Sequence, residues 1–174
     1  MKGFIKAVVW IVIVVAALVG VYFVLPEYPQ DFVKSIVQPV VDAEAKVRIE
    51  QVQSLLVKEL DNASYKTLLE GKAKNPCWAY EKDENTGVET VTFHGRGYSI
   101  NLKEWREYNG VLSTSAAVKF EFVITGGKQV DVHAYVDGVL MELNDAKDSH
   151  QESNKQIRLD ILNQTHTGAV LEKN

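Results

Sequence analysis

A single cysteine stands among the 174 residues, with four prolines and eleven glycines. One Cys cannot build a disulfide scaffold, and this little Pro and Gly excludes collagen and low-complexity Pro/Gly chains. At 46% hydrophobic and 24% charged, the composition is also not that of a fully disordered chain. The sequence contains no GxSxG, HExxH, EF-hand loop, CxxC or GxxxxGK[ST], and no internal repeat. Its four histidines, at 94, 133, 150 and 166, lack metal-ligand spacing, and its acids are dispersed. Gly95-Arg96-Gly97 and Thr125-Gly126-Gly127-Lys128 read as hairpin turns, because neither stands between a strand and a helix as a phosphate loop must. No catalytic, cofactor-binding or metal-binding residue is therefore assigned, and no cofactor is expected. Cys77 reads as a buried thiol beside Trp78.

The strongest positive signal is at the start. Ala7 to Leu25 is an apolar run of 19 residues without a charge, and Trp10 and Tyr22 lie toward its two ends. About 20 helical residues cross the roughly 30 Å hydrocarbon core of a bilayer, so 7–25 is expected to be a transmembrane helix. A cleaved signal peptide is the rival reading. Its best cleavage site, Val15-Ala16-Ala17, would leave an apolar stretch on the mature terminus, so an uncleaved anchor is preferred. Lys2 and Lys6 precede the run, whereas Glu27 and Asp31 follow it before Lys34. The positive-inside rule then places 1–6 in the cytoplasm and the remainder outside it, at an inner (plasma) membrane. Removing Lys2 and Lys6 from the 19 basic residues leaves 17 against 23 acids, a net charge of −6 for the outer part. Such a domain is a poor ligand for nucleic acid.

Residues 26–71 read as a helical stalk. Asp31 can cap its start, and Pro39 either kinks the helix or opens a new one. Val41, Ala45, Ile49, Val52, Leu56, Leu60 and Ala63 recur at spacings of three and four, which predicts one amphipathic helix of about thirty residues ending near Gly71. Its membrane-proximal stripe, Val41, Ala45 and Ile49, is the expected partner-binding surface. Residues 72–143 read as an antiparallel β domain. Val88–His94 and Tyr98–Leu102 flank the supposed 95–97 turn. Val118, Phe120, Phe122 and Ile124 alternate with Lys119 and Glu121, and Val130, Val132, Ala134 and Val136 continue that pattern. Asp137-Gly138 is a strong two-residue turn before Val139, Met141 and Leu143. These runs predict a meander with one buried face, His133 lying on its polar side. Residues 144–174 read as a polar linker and C-terminal strand or tail: Asn144 to Gln156 is a linker, a solvated loop or an exposed helix, and Ile157, Leu159 and Ile161 alternate as a last short strand.

The leader Gly3-Phe4, the apolar helix and Leu25-Pro26-Glu27-Tyr28 give residues 1–60 a pattern that resembles type IV pilins and pseudopilins. The resemblance implies a cleaved leader and a filament subunit. Val8 stands where that family places Glu, and Lys6 where it is apolar or small. The expected fold is α+β: a transmembrane helix, a long amphipathic helix and an antiparallel meander. The expected role is a non-enzymatic structural or assembly subunit of a cell-envelope complex. It would be anchored in the lipid bilayer by 7–25, bound to other envelope subunits, and open to homo-oligomerisation. A pilin-like subunit and a membrane-tethered sensor or enzyme are the alternatives.

Overall fold

A computed structural model describes residues 27–103, 111–142 and 148–168, without the side chains of 27–29 and 148–150. The segments 1–6 and 7–25 lie outside the described residues, as does Leu143. Among the described residues no helix is long and apolar enough to cross a membrane. The architecture is α+β. Helix α1 (Glu27–Val41) and helix α2 (Ala43–Ser54) lead into a two-stranded ribbon, β1 (Leu56–Val57) with β2 (Ala63–Ser64), and the short helix α3 (Tyr65–Glu70). A five-stranded antiparallel sheet follows: β3 (Lys74–Lys82), β4 (Glu89–Asn101), β5 (Leu112–Thr125), β6 (Gln129–Val136) and β7 (Val139–Leu140). Its spatial order is the chain order, so the meander read from the alternation is correct. Helix α4 (Asp148–Thr167) closes the described chain.

The single long helix is not formed. Pro39 lies inside α1, which stops two residues later. Asp42 then takes an extended conformation and accepts the amide of Ala45 at 3.0 Å, an N-cap that starts α2. A second break follows Ser54, where Asp61 and Asn62 turn the ribbon with positive φ and Ser64 caps α3 by accepting from the Thr67 amide. Residues 43–70 fold back on the sheet instead of standing it off as a stalk. Asp31 is not a cap either: it is buried one turn inside α1.

The core lies between one sheet face and helices α2, α3 and α4. Trp78, Phe93, Phe120 and Phe122 form its aromatic centre, with Tyr65 edge-on to Phe122 at 4.8 Å and Trp78 tilted on Phe93 at 4.9 Å. Ala45, Ile49 and Val52 enter from α2. The alternation of β5 is borne out: Val118, Phe120, Phe122 and Ile124 are buried. Thr125 to Lys128 is a hairpin turn, with Gly126 and Gly127 at positive φ, and Asp137-Gly138 is another. Gly95-Arg96-Gly97 is not a turn. It lies within the 13-residue β4, where the register slips after Arg96 and Gly97 carries the positive φ of a bulge. Asn75-Pro76 likewise belongs to β3, at a bulge near its start, and does not end a segment. The C-terminal strand is a helix. Ile157, Ile161, Leu162 and Thr165 recur at helical spacing and are buried, and the polar stretch before them is its first half.

Candidate functional site

The second sheet face is polar. Strand register brings together Cys77, Ala79 and Glu81 of β3 with Thr90, Thr92 and His94 of β4. Lys119, Glu121 and Val123 of β5, then Asp131, His133 and Tyr135 of β6, continue the face. Among the described residues it is covered on its β3 side, by α1. Asp31, Lys34 and Gln38 make polar contacts along the inner side of that helix. The Asp31 carboxylate lies 2.8 Å from His94 Nε2, a buried pair. Lys34 Nζ reaches Asp31 at 3.5 Å and Glu81 at 3.4 Å. Gln38 is bidentate on Tyr80: its Nε2 donates to the Tyr80 carbonyl at 2.6 Å, and its Oε1 accepts the Tyr80 amide at 3.0 Å. The side chain thus behaves as a short extra strand on the free edge of β3.

Between α1, the 83–88 turn and the uncovered part of this face lies a cleft of about 790 Å³. Thr90, Thr92 and Glu121 line it from the sheet, and Asp31, Lys34 and Glu81 from its side. Asp83 adds a fourth acid, so the charged lining carries four acids and one lysine. The 83–88 turn is held by Asp83, whose carboxylate accepts the amides of Asn85 and Thr86; those bonds lower its pKa. The open sheet beside the cleft is ordered by its own charges. Glu121 accepts from Lys119 Nζ at 2.7 Å and from the Tyr135 hydroxyl at 2.7 Å, and Lys119 lies over the Tyr135 ring at 4.1 Å. Burial works to raise the Glu121 pKa, but the two hydrogen bonds and the lysine charge outweigh it and hold the carboxyl below its ordinary range. Burial, followed by the bond to Glu121, pushes Tyr135 up to about 12. His133 is half-buried and lies 2.9 Å from Glu142, so it is not simply solvent-facing.

Cys77 is buried, as its neighbourhood to Trp78 suggested. It opposes His94 across the β3–β4 pair, so thiol, imidazole and the Asp31 carboxylate are neighbours. Their residue types match a nucleophilic triad, but their electrostatics do not. Burial, then the Asp31 charge, pushes the Cys77 thiol up to about 11, which leaves it protonated at neutral pH. The thiol is also outside the cleft lining. Among the described residues, no cluster of His, Cys, Asp and Glu could hold a metal ion.

The three residues expected to bind a partner are divided. Ala45 and Ile49 are in this chain's own core and cannot form an external stripe. Val41 is 73% exposed, and belongs with an apolar face on α1 that the stripe reading missed. The cleft residues carried no motif. Asp31 and Lys34 of α1, Thr92 of β4 and Glu121 of β5 come from three distant segments; strand register joins Thr92 to Glu121, and the packing of α1 against β3 adds the helix residues. No protein-family model, curated protein or solved structure matches the chain.

Proposed function

We propose that this protein is a single-pass, membrane-anchored subunit of a cell-envelope assembly, held by 7–25, whose extracytoplasmic domain docks a basic segment of a neighbouring subunit in the acidic cleft. The observation that carries this reading is the open, pre-ordered polar sheet face beside α1. Its charges already have partners, so little side-chain ordering remains to oppose docking, and its net negative lining selects Lys or Arg from a partner. The reading is non-enzymatic: Cys77, which opposes His94, is buried and its thiol is pushed up, which does not favour a thiolate nucleophile there.

Two measurements test it. A C-terminal alkaline phosphatase fusion should be active, and an inactive one refutes the orientation. In intact membranes, a photo-crosslinking residue at Val123, on the open face, should capture one defined envelope protein. The same residue at Glu50, exposed on α2, should not. Glu81→Lys reverses a charge on an exposed side chain and should reduce the Val123 adduct several-fold, with only a small change in the melt from the lost surface pair with Lys34. Equal adducts at both positions, or no effect of the charge reversal, would reject the cleft as the docking site.

A further inference from the structure

Helix α1 is built inside out. Its polar residues Asp31, Lys34 and Gln38 face the sheet, and Phe32, Val33, Ile36, Val37, Val40 and Val41 are exposed, by 40% at Phe32 and 83% at Val40. At about 100° per residue these six positions fill half of the helix circumference. A paired-helix seam is narrower, because only a and d positions enter it. A half-circumference apolar face with no charged residue in it matches a helix lying in a membrane interface.

Position in the chain points to the same occupant. The described part of α1, Glu27–Val41, follows Pro26 and the apolar run 7–25 in the sequence. The helix has 15 residues and is therefore about 22 Å long. Standing upright on the anchor, it would carry Val40 and Val41 about 20 Å from the hydrocarbon, and only its first turn would meet lipid. Lying flat, it holds Val33, Val37 and Val40, toward the middle of that arc, at nearly one depth and Phe32 and Val41 at its rims. The apolar face runs from Phe32 to Val41 and so reaches the far end, which is what the flat orientation requires. Lys34, the one basic residue of α1, is directed to Asp31 and Glu81, so no cation on this helix is aimed at a headgroup.

We infer that α1 lies flat in the interface of the bilayer that 7–25 crosses, its apolar half among the acyl chains and its polar half carrying the sheet. This rests on the anchored reading above. Attachment is apolar, so a neutral phosphatidylcholine bilayer suffices.

The test uses the full chain in phosphatidylcholine nanodiscs, spin-labelled one position at a time through Val15→Cys, Val33→Cys, Val37→Cys, Val40→Cys and Glu50→Cys. A mock-labelled parent reports any signal from the buried Cys77. Oxygen accessibility relative to a water-soluble nickel chelate should be several-fold higher at 33, 37 and 40 than at 50, at one common depth. Adding phosphatidylglycerol should not raise it. Water-like values at 33, 37 and 40 overturn the inference. A gradient from deep at 33 to aqueous at 40 also overturns it, since that is an upright helix. Spin–spin broadening at these positions would assign the face to a second copy, again against the inference. Position 15 separates the two claims: lipid there with water at 33–40 leaves the anchor standing and removes the flat helix. Water at 15 with lipid at 33–40 removes the anchor and keeps α1 on the surface.

Discussion

Gly95 exists for the sake of Tyr98. A Cβ at 95 would stand 2.5 Å from the Tyr98 hydroxyl oxygen and 2.9 Å from both Tyr98 Cε2 and Phe93 Cζ. The ring folds back over the glycine, and its hydroxyl donates to the Leu69 carbonyl, tying β4 to α3. Gly95→Ala should therefore cost about 2–4 kcal/mol, the sum of overpacking and a compromised buried hydrogen bond. In a Tyr98→Phe background, where the nearest atom is gone, the same change should cost clearly less. Equal penalties in denaturant melts of the two backgrounds would refute the contact. At Glu121 the lowered pKa predicts a pH signature. A carboxyl depressed on folding contributes stability above its ordinary value of 4.5, and that contribution is lost as pH falls through the folded value. The melting temperatures of the parent and Glu121→Gln should differ near pH 7 and converge below about pH 4.5. A gap that is independent of pH would remove Glu121 from the ordered network.

At the scale of elements, two glutamines fasten helices to strand backbone. Gln38 holds the edge of β3. Gln164 of α4 does the same at the end of β4, accepting the Asn101 amide at 2.6 Å and donating to its carbonyl at 3.2 Å. Gln38→Ala should release the Tyr80 amide. Hydrogen exchange there should accelerate by about tenfold or more, as for a lost bond worth over 1 kcal/mol. Val91 in the sheet interior should keep its protection. Unchanged exchange at Tyr80 would mean that the edge is covered by other groups. The second element-level hold is Arg48 of α2, whose guanidinium grips the buried Glu89 carboxylate with Nη2 at 2.9 Å and Nε at 2.5 Å. Arg48→Ala leaves that charge unpaired among core residues and should cost about 3 kcal/mol, measured in the same denaturant melts. Arg48→Lys should recover only part of it, because an ammonium cannot make both bonds.

For the molecule as a whole, what was legible in the sequence followed from one-sided burial. β5 and β6 keep one face apolar, so period two showed through, and Asp137-Gly138 carried its own turn chemistry. Thr90 to His94 alternates and reads as strand, but β4 is cut in two by Gly95-Arg96-Gly97, because a bulge glycine looks like a turn glycine. At α4 the sequence leaves linker, loop and exposed helix open for its polar first half and suggests a strand at 157–161, because its inner face uses Asp160, Gln164 and Thr165 beside only a few aliphatics. The inverted helix was hidden for the opposite reason: its periodic face was read onward from Val41, while its apolar half begins at Phe32 and points away from the core. The cleft left no trace, since hydropathy does not report which polar residues meet across strands.

The way α1 is attached has a mechanical consequence. Any pull on the N-terminal segment must pass through the contacts at Asp31, Lys34 and Gln38 before it loads the aromatic core. Hydrogen bonds and ion pairs are short-ranged and yield within a small displacement, so α1 acts as a fuse. It should detach at low force and pay out its 15 residues, about 50 Å of chain when extended, while the domain from Ala43 onward stays folded. Force spectroscopy with handles at 27 and 168 should show that first small step, weakened by Gln38→Ala, ahead of one larger rupture. A pull on the N-terminal segment would then gain slack without unfolding the domain.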